Sequence, residues 1–306
     1  MDGISQAYCV LAWAGLIKLL QMSVWPHLRS TLSQYAYPAA FPFSILLFAL
    51  GGWYLALLRL PIQLSLLVFI GLAISGIVRG GYSREALRGL AVWDALFLLG
   101  FAFALGLRFV NPAISHFSEQ FMNHAFLAGI MLNPQIPPLD PWFVGGDLSI
   151  YYYLGHFTMG ALAIAVSAPS EVAFNLILPT VFGVSFVMLY ALGDLILPRH
   201  RWLPLAVLFA IPPSVLWFLG SGCGLYGALD RTNWLIAGGR FEFPLFSLFL
   251  GNAHAFEIGI FNQLLLLFLL AFAWHRWVDL DLRGRLHLVL LLSLSLGTMP
   301  LLNAWD

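Results

Sequence analysis

Nine apolar runs, at roughly 4–20, 41–58, 60–78, 90–110, 151–168, 172–196, 203–220, 258–274 and 286–302, take up more than half of this chain. Each is close to the ~20 residues an α-helix needs to cross a bilayer core. Lipid offers no partner for a backbone N–H or C=O, so such runs must fold as helices that satisfy their own backbone. The wider composition agrees, with 61% hydrophobic and only 9% charged residues among 306. A soluble domain carries about 25% charged residues. The sequence therefore predicts an all-α, polytopic transmembrane helix bundle of about eight or nine membrane helices in the cell membrane. Pro38, Pro42 and Pro61 fall near run ends, whereas Pro212-Pro213 sits inside the seventh run and predicts a kink there.

Several function classes drop out early. The net charge is zero and Lys18 is the only lysine, so no basic patch exists for nucleic acid. Cys9 and Cys223 stand far apart and have neither disulfide nor metal spacing. Lys18 lies near the end of the first apolar run rather than before it, which fits an uncleaved anchor and not a signal peptide. There is no glycine-rich phosphate loop, nucleophile elbow or soluble domain. Glycines lie inside the apolar runs, where they let helices approach closely.

Arginine placement sets the expected sidedness. Loop 79–89 carries Arg79, Arg84 and Arg88, and loop 275–285 carries Arg276, Arg283 and Arg285, so both should be cytoplasmic. Loop 111–150 contains Glu119, Asp140 and Asp147 but no Lys or Arg, which places it outside. Four apolar runs separate residue 150 from residue 275, yet an odd number of crossings is required. The conflict disappears if 151–168 stays on the outer face as a juxtamembrane or re-entrant helix. Loops 111–150 and 221–257 then share one side.

Those loops hold the candidate chemistry: Glu119, Asn123, His124, Asp140, Tyr152 and His156 in the first, and Arg240, Glu242, Asn252, His254 and Glu257 in the second. Ionisable groups near lipid tend to mark function, although each could equally be a hydrated loop side chain. Tyr151 to Tyr153 read either as an interfacial belt or as part of a site. Arg108, at the outer end of the fourth run, either snorkels to the interface or binds a phosphate. His254 and Glu257 have helical i, i+3 spacing, but one imidazole and one acid are too few for a zinc site.

The motifs Arg108-Phe109-Val110-Asn111-Pro112, Glu119 with Met122, Pro137-Pro138-Leu139-Asp140-Pro141-Trp142, Tyr151-Tyr152-Tyr153-Leu154-Gly155-His156, Glu242-Phe243-Pro244-Leu245-Phe246-Ser247 with Gly251 and His254, and Asn303-Ala304-Trp305-Asp306 together resemble an uncharacterised polytopic family marked by its triple tyrosine, the YYY membrane-protein family. The resemblance covers most of 90–306, and 1–89 is similar in hydropathy alone. That division suggests N-terminal transmembrane helices (1–89) and a YYY domain (90–306) incomplete at its C-terminus, with a partner chain supplying the missing helices.

The family is grouped by fold with GT-C glycosyltransferases, so the resemblance implies a GT-C-like bundle that transfers sugar from a polyprenyl-phosphate donor on the extracytoplasmic face. It implies Glu119 or Asp140 as catalytic base and a divalent cation as a possible cofactor. Arg108, Asn123, Tyr152, His156, Arg240, Glu242, Asn252 and His254 would bind substrate. The chain also departs from the pattern. Asn123 and Asn252 stand where the family resembles aspartate, and Phe256 where it resembles histidine. An amide cannot take up a proton near neutral pH. A second reading is therefore a catalytically degenerate lipid-binding or assembly subunit. A transporter is disfavoured, because no inverted repeat of interrupted helices is visible.

Overall fold

The computed structural model describes residues 3–115, 119–148, 152–235 and 243–304. Glu242, Arg240, Tyr151, Trp305 and Asp306 lie outside the described residues. The described chain is helical, apart from loops and one isolated antiparallel bridge between Leu139 and Asp147.

Helices α1 (Gly3–Leu32) and α2 (Ala36–Leu57) form one almost unbroken helical stretch, but they are not one rod. A straight helix rising 1.5 Å per residue would hold residues 18 and 37 about 28 Å apart. Instead Lys18 Nζ hydrogen-bonds the Tyr37 hydroxyl, and the Trp25 and Tyr37 rings meet at 5.3 Å. The chain reverses at Ser33, whose φ of 50° is left-handed, so α1 and α2 run antiparallel. The expected runs 4–20 and 41–58 were thus too short at this turn. Polar residues such as His27 and Arg29 end an apolar window without ending a helix.

Helix α3 (Leu66–Val78) returns along α1, and α4 (Arg84–Leu87) follows, its N-terminus capped by Ser83 Oγ accepting from the Ala86 N–H. Helices α5 (Ala91–Val110) and α8 (Ser170–Ile196) make the most extensive packing pair. Every residue of α8 from Leu176 to Gly193 is buried, so this helix is the centre of the bundle. Between them come α6 (Gln120–Leu132), which the sequence reading missed within an expected loop, and α7 (Leu154–Val166). At 13 residues, α7 is too short to cross a bilayer.

Beyond α8 the seventh run is broken as expected: α9 (Ala206–Phe209) and α10 (Pro213–Gly220) meet at 45° across Pro212. Short helices α11 (Leu225–Asn233) and α12 (Pro244–Leu250) lead into α13 (Ala255–Arg276) and α14 (Leu282–Leu302). Asp281 Oδ1 caps α14 by accepting from the Gly284 N–H. Asn262 ties the last two helices together, donating to the Ser295 carbonyl at 2.9 Å and accepting from Ser295 Oγ at 2.7 Å. Among the described residues, five stretches are long and apolar enough to cross a membrane, namely 3–57, 91–110, 170–196, 255–279 and 282–302. Their outward faces carry exposed Leu, Ile, Val and Phe side chains, among them Leu11, Leu19, Leu99 and Leu290, and lipid is the solvent suited to them.

The α5–α8 contact depends on a reciprocal glycine pair. A Cβ on Gly100 would lie 2.8 Å from the Phe182 carbonyl oxygen, and one on Gly183 would lie 3.0 Å from that of Phe97. Gly183→Val should therefore destabilise the protein by about 1–3 kcal/mol through overpacking. Gly106→Ala, with open space around its Cβ position, should be neutral or slightly stabilising. Thermal unfolding in detergent distinguishes them, and equal melting temperatures would refute the close-approach role.

Two ends of the bundle result. At one, Tyr35 between α1 and α2 donates to Asp194 at the foot of α8, and Thr31 meets His287 near the start of α14. At the same end, Lys18 forms an ion pair with Asp94 at 2.6 Å, close to the Tyr37 hydroxyl. The opposite end gathers the C-terminus of α5 and the N-termini of α6, α7, α8 and α13.

Candidate functional site

At that second end, four segments distant in sequence meet. Glu119 precedes α6 and His254 precedes α13, and His254 Nε2 lies 2.8 Å from Glu119 Oε2. Glu119 is 40% exposed and His254 only 15%, so the carboxylate can be reached from outside while the imidazole is largely enclosed. The Tyr152 ring packs edge-on to His254 at 6.5 Å, and the Phe256 ring lies 4.8 Å from the same imidazole. Tyr152 therefore faces protein, not lipid.

Directly inward, Asn123 Nδ2 donates to Asn252 Oδ1 at 3.2 Å, and both residues are fully buried. Two of the three positions at which the resemblance leads one to expect other residues thus touch each other across 129 residues of chain. His156, also fully buried, heads α7 and packs against Phe126 at 5.8 Å. Burial above all, with His254 nearby, pushes its pKa down to about 3 against a hydrogen bond with the Ala253 backbone. His156 is therefore a neutral imidazole. His124 contacts Ser170 Oγ at 3.2 Å and the Phe174 ring, and burial lowers its pKa while Glu171 partly opposes this.

Arg108 is brought to the cluster but not to its surface. The residue is 2% exposed, and its Nε donates to Asn175 Oδ1 at 2.9 Å. Asn175 in turn donates to the Pro112 and Glu171 carbonyls, which fixes the start of α8 to the end of α5. The guanidinium lies against Gly251, where an added Cβ would stand 1.7 Å from Nη1. Neither Nη atom has a hydrogen-bond partner among the described residues. Snorkelling, one of the two sequence readings for this arginine, is thus not what it does.

Other expectations are placed differently. Asp140 stabilises its own loop, with Oδ1 accepting from the Trp142 N–H at 2.8 Å and its N–H donating to the Gly146 carbonyl. Glu257 accepts from Ser247 Oγ inside the bundle, while His254 faces Glu119. Gln120 was missed by sequence reasoning. It is buried, accepts from the Ser115 N–H, and donates to the Leu250 carbonyl, so it pins the α6 start to the end of α12. Asn175 and Gly251 were missed as well. A lone amide inside an apolar run was the available signal for Asn175.

Among the described residues no group of three or more His, Cys, Asp or Glu side chains is placed to hold a metal. One carboxylate and one imidazole fall short of the three protein ligands of a catalytic zinc site, so the described donor set does not fit zinc.

An apolar helical bundle with a polar, partly enclosed cluster at one end defines an integral membrane protein. The chain belongs to the uncharacterized membrane protein family DUF2298, whose model matches residues 43–306. That match takes in α5 to α14 and reaches back into α2, further than the triple-tyrosine resemblance does. No curated protein and no solved structure matches the chain.

Proposed function

We propose that this is a multi-pass protein of the cell membrane whose Glu119–His254 end faces outward. There it would transfer a sugar from a polyprenyl-phosphate donor, within a GT-C-like bundle of eight or nine membrane helices. The orientation is supported by the arginines, which concentrate at the opposite end as the positive-inside tendency requires. It is also supported by α7, which starts beside His254 and is followed by Ser170 beside His124, so both of its ends lie on one face.

The observation that carries the chemistry is the 2.8 Å contact between Glu119 and His254 at the mouth of a buried polar cluster. Glu119 would accept the proton of an acceptor hydroxyl, while His254 holds its carboxylate in place. Tyr152 walls that side. Asp140 is the weaker candidate base, because its Oδ1 already serves the turn. Arg108, Arg240 and Glu242 remain proposed contacts to the donor. No step is routed through a metal.

General-base catalysis contributes typically 10²–10⁴-fold, so Glu119→Gln should cut transfer from a lipid-linked sugar by about that range while leaving the fold intact. Turnover close to wild type in that variant would remove Glu119 from the mechanism. A second reading, a non-catalytic lipid-binding or assembly subunit, is favoured by the Asn123–Asn252 pair, since two buried amides stand where the resemblance leads one to expect acids. Mass spectrometry of co-purified lipid tests the donor class common to both readings.

A further inference from the structure

The arginine-rich end contains a cleft of about 1090 Å³ that plays no part in the chemistry proposed above. Arg29 reaches it from α1, Arg79 from the end of α3, Arg88 from the turn after α4, and Arg201 from the turn after α8. The positive-inside tendency requires basic residues in these loops, but it does not require four separate segments to aim them at one cavity. Two acids, Glu85 and Asp194, also line the cleft, which leaves an excess of two positive charges.

Two of the four guanidinium groups are pre-positioned by stacking, and of the four Arg201 alone is paired with an acid among the described residues. Arg29 lies over the Trp25 ring at 5.5 Å and Arg201 over the Tyr190 ring at 5.6 Å. Stacking holds the plane of a guanidinium while its N–H groups stay available at the edge. Arg29 spends one of them on the Gly81 carbonyl, and Arg201 makes a long 3.4 Å contact to Asp194. Arg79 and Arg88 are exposed and form no ion pair with any described residue. Planar forks converging from several sides match the oxygens of a phosphate group, which arginine binds bidentately.

We propose that this cleft binds a phosphate group, supplied by the headgroup of an anionic phospholipid. Exposed Val92 lines the cleft, and exposed Ile77 and Val78 adjoin Arg79, which gives the acyl chains of a lipid an apolar surface beside the arginines. The same chemistry would accept a soluble phosphate compound, and the test separates the two sources.

The full chain, purified in a neutral detergent, would be titrated with phosphatidylglycerol or phosphatidylcholine, and bound lipid counted by native mass spectrometry. Pyrophosphate would be added in a parallel series read by thermal shift. Arg79→Gln with Arg88→Gln is the test variant, since both side chains are exposed and leave the core untouched. At about 1 kcal/mol per basic residue near an anionic surface, the double variant should bind phosphatidylglycerol about thirtyfold more weakly. Phosphatidylcholine should bind wild type and variant alike. Stabilisation of wild type but not variant by pyrophosphate, without selective lipid retention, would keep the phosphate site and overturn its lipid source. Equal phosphatidylglycerol retention by both proteins, with no pyrophosphate effect, would overturn the site altogether. Unchanged melting of the ligand-free variant provides the folding control.

Discussion

Asn123→Asp combined with Asn252→Asp should make stability depend steeply on pH, with the folded protein lost as pH rises through the neutral range. The two side chains touch at 3.2 Å and are fully buried. Two carboxylates at that distance cannot both ionise, and burial penalises even the first charge. The folded-state pKa values must therefore rise above the unfolded value of about 3.9. An acid with a raised folded pKa leaves stability intact while it is protonated in both states. The cost begins as pH passes the unfolded value and levels off only above the folded one. A shift of about three units, ordinary for a fully buried carboxyl, corresponds to about 4 kcal/mol at neutral pH. Melting temperatures at pH 4 and pH 8 would read this directly, and parallel behaviour of variant and wild type would contradict the buried contact. The same variant separates the two functional readings. Sugar transfer that appears as pH falls enough to leave one proton on the pair would identify a decayed enzyme.

Gly251→Ala should be the most damaging single-methyl change at the site. Gly251 ends α12 at φ 73°, a left-handed conformation that costs an L-residue roughly 1–2 kcal/mol. Its Cβ would also lie 1.7 Å from Arg108 Nη1 and 2.1 Å from Cζ. The guanidinium has little room to move, being 2% exposed and tied to Asn175. Overpacking of this kind adds about 1–3 kcal/mol, for a total of about 2–5 kcal/mol. In an Arg108→Met background the clash disappears and only the backbone cost should remain. The double-mutant cycle isolates their coupling. Full additivity, measured by unfolding in detergent, would mean that Arg108 and Gly251 do not touch.

Particular residues show how much could be read before folding. The apolar runs located most of the long helices, and Pro212-Pro213 marked the break between α9 and α10. Balancing the crossings made 151–168 non-spanning, and the helix found there, α7, has 13 residues. The boundary at residue 20 failed because hydropathy reports where lipid ends, while backbone hydrogen bonding carried α1 on to Leu32. Helix α6 was overlooked because 13 residues between proline-rich loops give too little periodic signal. Within the candidate site, Glu119, Asn123, Tyr152, His156, Asn252 and His254 were nameable as polar residues of two loops. Their pairing was not, and the i, i+3 spacing of His254 and Glu257 gave no hint that His254 meets Glu119.

What the order of residues determined alone is a matter of solvent: lipid forces apolar runs into helices, and the distribution of arginine marks the two ends. Both follow from local composition. The tertiary structure decided which side chains share a pocket, because the meetings of Glu119 with His254, Asn123 with Asn252, and Arg108 with Gly251 join segments more than 120 residues apart. Such contacts depend on the direction and rotation of each helix, which close packing around α8 sets and no local pattern encodes.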